Sequence, residues 1–336
     1  GTTAFFKEQD ITPETTSLLD ELDTEIPRLL DLVESNEEPV VHLGNHCEKC
    51  EFKEYCWRDM PEKNIFTIPR LNKTKANFLV ESGIYDAEKI PENLELSELQ
   101  KEYVQLLQNG VPKINFESIQ QKIDQLRFPL NFVDFETYMS ALPITPNTRV
   151  FEQVPFQFHH VLLEKNGEVL EVSHISMDRN HVKEEFLNEL LPVLLDNTGT
   201  IIAYNINFEK WILGQLAKQF PEYADDIESV INRFWDLENL FQDYKDPRFL
   251  GKTTLKTVLP TLEPNMSYDG LKIDEGNLAG VKWEEMIMSD DEDLKNNIKR
   301  DLLDYCYQDT FGMVQLYQHI IAEIPAPENK QVEILW

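Results

Sequence analysis

The sequence predicts a mixed α/β fold preceded by a small, mainly helical region that contains cysteines. Residues 129–205 alternate strand-like and helical segments, whereas apolar residues before residue 115 recur at the three- and four-residue spacing of helices. A hydrophobic content of 41%, with 10% aromatic residues, is typical of a folded globular chain.

The helical region has two parts. Residues 13–35 combine helical apolar spacing with an acidic first turn, which predicts one helix. Residues 64–110 predict short helices interrupted by "SG" and "IPEN". We therefore divide the chain into residues 1–62, a helical connector at 63–115, and a main domain at 120–327.

The main domain is predicted to begin with three mainly antiparallel strands, "PLNFVDFE", "FQFHHVLLE" and "EVLEVSHIS", with a "KNG" hairpin turn between the last two. The helix "HVKEEFLNELLPVLLD", the short buried strand "GTIIAYN" and a helix starting near Phe208 follow. A long helix that begins at "EDLKNNIKRDLLDYCYQDTF" closes the domain.

Two carboxylates end the first predicted strand. Because residues i and i+2 of a strand point to the same side, Asp134 and Glu136 would share a face while Phe135 faces the other way. Such a pair needs a compensating cation. The alternative is that the strand has ended and both side chains are solvated, since a lone Asp-x-Glu is a weak signal.

Further acidic residues occur later in the chain. Glu209 follows the strand "GTIIAYN", and Tyr305 and Asp309 lie four residues apart, on one face of a helix. Alone, a Glu at a helix start is usually a first-turn charge. Cys306, between the last two, is predicted to be packed within the helix.

Taken in order, these segments resemble the three motifs of the DEDD exonucleases, the DnaQ-like branch of the ribonuclease H-like fold. They are "DFE" at 134–136, "NINFE" at 205–209 and "YCYQD" at 305–309. The tyrosine is typical of the DEDDy type, whereas Glu209 stands where that family usually has Asp. With "PFQFHHVL" and "LKTVLPTLEPNMSYDGLKIDEGNLAG", the chain also resembles an uncharacterised bacterial family in which this domain follows a RecB-like iron–sulfur nuclease module.

The resemblance implies a ribonuclease H-like mixed sheet flanked by helices and a site for two Mg²⁺ or Mn²⁺ ions, which prefer hard oxygen ligands. Asp134 would bridge both ions. Glu136 and Asp309 would complete one ion site, and Glu209 would act on the other through water. Tyr305 would orient the attacking water, which the metals must acidify because the ordinary pKa of tyrosine is about 10.

Four further residues are candidate substrate contacts. The backbone N–H of Thr137 could meet the terminal nucleotide, and Asn205 and Phe208 could position the second motif. Lys256 could contact a phosphate, with an ordinary solvated lysine as the equally weighted alternative. Asp236 is instead predicted to cap a helix.

Three of the four cysteines, Cys47, Cys50 and Cys56, fall within ten residues. This cluster fits a disulfide framework poorly and favours a thiolate metal site. RecB-like nucleases with iron–sulfur clusters have a similar trio whose fourth cysteine lies far upstream, so the resemblance implies a four-iron–four-sulfur cluster. Zinc, with His46 or His42 as the fourth ligand, is the alternative.

The net charge of −30 argues against a simple nucleic-acid binder, although bound divalent metal would reverse the local sign of a carboxylate site. No apolar stretch approaches the ~20 residues of a membrane span, so we expect a soluble, cytoplasmic protein without a membrane partner. Since the chain begins with Gly rather than Met, we also expect an N-terminal RecB-like region to be missing from it.

The leading hypothesis is a metal-dependent 3′–5′ exonuclease whose partner is a nucleic acid with a single-stranded 3′ end. The alternative is a catalytically weak nucleic-acid-binding or scaffold module that serves the RecB-like nuclease. The net charge and Glu209 favour this alternative, whereas the retained carboxylates and Tyr305 argue against it. Hydrolysis of short oligonucleotides or other phosphodiesters is a third possibility, and the sequence does not distinguish DNA from RNA.

Overall fold

A computed structural model of the protein describes residues 9–16, 18–35, 37–38, 41, 43–44, 46–47 and 50–325. The chain forms two compact units, one from the described part of Gly1–Pro61 with Asn72–Tyr85 and one from Glu62–Leu71 with the described part of Asp86–Trp336. The predicted connector at 63–115 is therefore divided between the two units. Within the described residues, no helix is both long and apolar enough to cross a membrane.

The regular secondary structure described in the first unit is helical. Its helices are α1 (Thr12–Thr16), α2 (Leu19–Ser35), α3 (Lys53–Cys56) and α4 (Lys73–Glu81). The prediction of one helix over 13–35 is wrong, because α1 and α2 are separate. At the end of α1, the hydroxyls of Thr15 and Thr16 donate to backbone carbonyls three or four residues earlier, a local bond that competes with continued helix.

The second unit begins with two 3₁₀ turns, Ile65–Thr67 and Ala87–Lys89, and then alternates helices and strands. Its first half contains α5 (Glu98–Asn109), β1 (Lys113–Ile114), α6 (Phe116–Ile123), β2 (Leu130–Tyr138), β3 (Val154–Leu163), β4 (Val169–Ile175) and α7 (Val182–Leu195). Its second half contains β5 (Ile201–Ala203), α8 (Asn207–Gln219), α9 (Ala224–Ile231), β6 (Phe234–Asp236), β7 (Tyr244–Lys245), α10 (Leu255–Leu262), α11 (Gly276–Met288) and α12 (Glu292–Glu323).

Five strands form a mixed sheet in the order β4-β3-β2-β5-β6. The β2–β3 and β3–β4 pairs are antiparallel, and the β2–β5 and β5–β6 pairs are parallel. The predicted mixed α/β class and its three antiparallel strands are confirmed. At the predicted turn, Gly167 takes a left-handed φ of 88°, which its missing side chain permits.

The alternation of β2 divides the core between the two faces of the sheet. Phe132 joins the cluster formed with α10 and α12, whereas Phe135 contacts Phe186 of α7 edge-on, with ring centroids 5.2 Å apart. Asp134 and Glu136 have the same parity as Phe132, so both carboxylates face the α12 side. The prediction that they share one face is confirmed.

Helix α11 lies close against the end of β2. A Cβ atom added to Gly280 would lie 2.8 Å from the carbonyl oxygen of Thr137 and 3.3 Å from the Cα of Tyr138. Both neighbours are backbone atoms and cannot rotate away. Gly280 therefore permits the contact between the helix and the strand that carries the two carboxylates.

Substituting Gly280→Ala should lower the free energy of unfolding by about 1–3 kcal/mol, because the added methyl forces α11 away from β2. Gly214→Ala is the matched control. Gly214 lies inside α8 with no atom within 4 Å of its added Cβ, so this change should instead stabilise the protein by about 0.5–1 kcal/mol. Urea unfolding measures both, and equal effects from the two variants would contradict the close contact.

Candidate metal centre

One cavity of about 650 Å³ gathers the residues of all three sequence motifs. Its lining includes Asp134 and Glu136 from β2, Glu209 from α8, and Tyr305 and Asp309 from α12. Glu275, just before α11, adds a fifth carboxylate. Residues far apart in the chain thus form a single acidic site.

Local backbone features determine the direction in which these side chains point. The β2–β3 register shifts between Glu136 and Thr137, directly after the second carboxylate, and such irregularities often re-aim side chains beside functional sites. Glu209 lies in the first turn of α8, and the four-residue spacing of Tyr305 and Asp309 puts both on one face of α12.

Burial and mutual repulsion oppose ionisation of the carboxylates. Desolvation is the largest cause that raises the pKa of Asp134 well above its ordinary value, followed by the charges of Asp309, Glu136 and Glu209. The pKa of Glu136 is also raised well above its ordinary value, first by desolvation and then by Asp309. A bound cation would reverse this balance by neutralising the negative charges.

Glu209 shows the strongest sign of an incomplete environment. Its side chain is 4% exposed, and its Oε2 atom has no hydrogen-bond partner among the described residues. Desolvation, with a smaller contribution from Asp236, raises its pKa to about 8. Buried carboxylate oxygens are ordinarily hydrogen-bonded, so this one is free to accept from water or to bind a cation.

Asp309 is held by two tyrosines. Desolvation raises its pKa, while hydrogen bonds from the Tyr268 and Tyr305 hydroxyls and the positive charge of Lys256 oppose the rise. Lys256 donates from Nζ to the Tyr305 hydroxyl over 3.1 Å and also to the backbone carbonyl of Asp274. This network connects α10, α12 and the segment between α10 and α11 beside the carboxylates.

The donor set has the chemistry that a hard divalent cation prefers, because four carboxylates of the three motifs line the cavity and one buried oxygen of Glu209 is not used by a protein hydrogen bond among the described residues. Ligand atoms of Asp134, Glu136 and Cys306 lie within 4.8 Å of one another. Glu209 and Asp309 are not part of this tightest group of possible ligands. Cys306 is fully buried, as predicted, and its Sγ is 3.8 Å from both the backbone oxygen and Oδ2 of Asp134.

The predicted substrate contacts have different outcomes. Thr137, Phe208 and Lys256 line the cavity, and the Thr137 hydroxyl donates to Gln153 Oε1 over 2.6 Å. Asn205 does not line it. Asn205 takes a left-handed φ of 59° in the turn before α8 and donates its backbone N–H to Asp236 Oδ1 over 2.9 Å.

Asp236 was predicted to cap a helix, and that prediction is confirmed. Its side chain accepts the Glu238 backbone N–H at the start of the 3₁₀ helix Leu237–Gln242.

The cysteine trio does not form a comparable site within the described part of the chain. Cys47 is buried, Cys50 is exposed and Cys56 is half-buried, and no group of three possible ligands within 4.8 Å includes any of them. The Sγ of Cys47 lies 3.6 Å from His46 Nε2, whereas His42 lies outside the described residues. These described thiols do not by themselves fit a cluster or zinc, and both cofactors stay predictions.

Sequence reasoning missed several residues of this region, among them Tyr268, which bonds to Asp309, and the lining residues Glu275 and Gln153. They lie on irregular segments between helices and strands, where neither periodicity nor motif spacing marks a side chain. The apolar spacing and the acidic motifs that predict the other site residues do not mark these positions.

Comparisons with known proteins cover part of this centre. Residues 131–254 match a family model described as a Domain of unknown function (DUF2779). The matched segment contains Asp134, Glu136 and Glu209 but ends before Lys256 and the α12 residues. Neither the curated proteins nor the solved structures provide a match.

The raised pKa of Glu209 predicts a pH-dependent stability. Because the folded value of about 8 exceeds the ordinary value of 4.5, protonation stabilises the fold fully below pH 4.5, and this contribution is lost as pH rises to about 8. Metal-free protein should lose on the order of a few kcal/mol of unfolding free energy across this window. Glu209→Gln, which cannot ionise, should lose clearly less.

Urea unfolding at pH 5 and pH 8.5 in a chelator measures the difference. Glu228→Gln, which removes an exposed carboxylate of α9, should follow the wild-type protein. Buried His159 and His160, whose pKa values desolvation lowers to about 4, contribute equally to all three proteins. Parallel pH curves for wild type and Glu209→Gln would contradict the assigned shift.

Proposed function

We propose that the protein is a metal-dependent 3′–5′ exonuclease of the DEDDy type, which hydrolyses phosphodiester bonds of DNA or RNA. The observation that carries this proposal is the convergence of Asp134, Glu136, Glu209, Tyr305 and Asp309 on one cavity. An unpartnered buried oxygen on Glu209 adds support, because it marks a position where a ligand would complete the site.

The mixed sheet supports the ribonuclease H-like part of the proposal. Three antiparallel strands are followed by two parallel ones, with helices on both faces, and the central strand β2 carries the first two carboxylates. Since fold alone does not determine function, the proposal depends on the side chains of the cavity rather than on the sheet.

The residues suit phosphodiester hydrolysis. Asp134, Glu136, Glu209 and Asp309 would hold two Mg²⁺ or Mn²⁺ ions, which would supply a nucleophilic water and neutralise charge on the phosphate. The Tyr305 hydroxyl, held by Lys256, is available to orient the attacking water. Burial and nearby carboxylates raise the pKa of Tyr305, so its phenol stays protonated at neutral pH and does not act as a base.

A second candidate function is a catalytically weak module that binds nucleic acid or serves as a scaffold for a RecB-like nuclease. Glu209 favours it, since it is one methylene longer than the Asp usual in the resembled family. The net charge of −30 also favours it over an efficient enzyme on long polyanionic substrates. Binding of a single-stranded 3′ end without cleavage would distinguish this function from the first.

Incubation of 5′-labelled single-stranded DNA and RNA with Mn²⁺ or Mg²⁺ tests the proposal. We expect a ladder that shortens from the 3′ end, and its loss in Asp134→Ala because that change removes a central carboxylate ligand. Asp226→Ala, an exposed acid on α9, should leave the ladder intact. Folded wild-type protein that binds both strands but shortens neither would make the second function the better one.

Tyr305→Phe should lower kcat by about 10²-fold, because the lost hydroxyl orients the reacting water. Mn²⁺ binding should persist, since the four carboxylates remain. Isothermal titration with Mn²⁺ and single-turnover hydrolysis measure the two effects separately. Loss of Mn²⁺ binding would instead assign Tyr305 to support of the metal site.

A further inference from the structure

The rim of the acidic cavity is apolar and open to solvent. Met139 at the end of β2, Phe208 on α8 and Val281 on α11 all line the cavity, yet they are 45%, 38% and 59% exposed. Trp211, one turn after Phe208, is 48% exposed. Single exposed apolar residues are ordinary, but a set from three elements around one cavity marks a binding surface.

Two of these side chains are neighbouring aromatic rings. Phe208 and Trp211 lie three residues apart on α8, with ring centroids 6.5 Å apart and planes 30° apart. Between them in the sequence, Glu209 turns into the cavity and is buried. The start of α8 therefore presents the Glu209 carboxylate and the Phe208 ring to the cavity, and the exposed Trp211 ring lies next to Phe208 outside the cavity lining.

Positive charge is scarce in the same cavity. Among the described residues that line it, five are acidic and Lys256 alone is a cation. Lys256 already donates to the Tyr305 hydroxyl and to the Asp274 carbonyl. Proteins that hold single strands mainly by their phosphates use a positively charged groove, which this lining does not offer.

We propose that Phe208 and Trp211 form a base-stacking platform that holds a single strand by its nucleobases beside the metal centre. The proposal rests on the proposed function and deepens it by assigning Trp211 a role in binding and by making base stacking, rather than phosphate contact, the main interaction with the strand. Every base has a π-face, so stacking selects unpaired bases without selecting their sequence. Trp211 has no role in the resembled motifs and becomes a binding residue here.

A strand held in this way should bind with little dependence on salt. Each phosphate contact to a single strand contributes about −0.7 to the slope of log K against log salt concentration. With Lys256 as the available cation of the lining, we expect a slope no steeper than about −1. A groove with four phosphate contacts would give about −3, and more contacts would give a steeper slope.

Fluorescence anisotropy with 5′-fluorescein-labelled oligothymidylate tests the platform, with Ca²⁺ in place of Mg²⁺ and intact oligonucleotide verified afterwards. Trp211→Ala should weaken binding about tenfold or more, whereas Trp211→Phe, which keeps a ring, should stay within about threefold of wild type. Leu170→Ala, which trims an exposed apolar side chain on β4, is the matched control and should bind like wild type.

An oligonucleotide of the same length with abasic sites at its last three positions separates bases from phosphates. Wild type should bind it as weakly as Trp211→Ala binds the ordinary strand. Equal affinity for both strands, wild-type affinity in Trp211→Ala, or a salt slope near −3 would each overturn the platform while leaving the exonuclease proposal standing. Neither binding nor metal-dependent cleavage by wild type would overturn both.

Discussion

Electrostatic repulsion among the carboxylates of one cavity is the constraint that the packing around the site must overcome. Asp134, Glu136, Glu209 and Asp309 share one cavity, and desolvation raises the pKa of each. Without a cation, such a group favours either protonation or separation of its members. The surrounding packing must therefore hold the four side chains together.

That packing comes from both faces of one strand. On one face of β2, Phe132 belongs to a buried hydrophobic cluster with α10 and α12, and on the other Phe135 packs against α7. Gly280 admits α11 to the end of the same strand. Because β2 is packed on both faces, the backbone positions of its two carboxylates are fixed by the core, and the raised pKa values report the cost of ionising them there.

The predictable part of this site is the part that lies on regular structure. The two-residue period of a strand brings Asp134 and Glu136 to one face, and the helical period does the same for Tyr305 and Asp309. Tyr268 lies on an irregular segment, so its contact with Asp309 depends on tertiary folding that no local pattern encodes. The three-residue strand β6 is likewise too short for a periodic signal, and its place beside β5 depends on the sheet.

The acidic floor and the apolar rim of the cavity are best understood together. The carboxylates at the base of the cavity repel a polyanion when no cation balances their charge. Divalent cations bound there would reverse this locally, so that phosphate is attracted to the site but not to the rest of the protein. The chain as a whole carries a net charge of −30, so a long phosphate backbone gains little from general attraction to the protein. Apolar contact with bases is the interaction that this negative charge does not oppose. Phe208 and Trp211 supply that contact from the start of α8, and the same segment places Glu209 in the cavity. One short segment of α8 therefore carries both a proposed metal ligand and the proposed contact with bases.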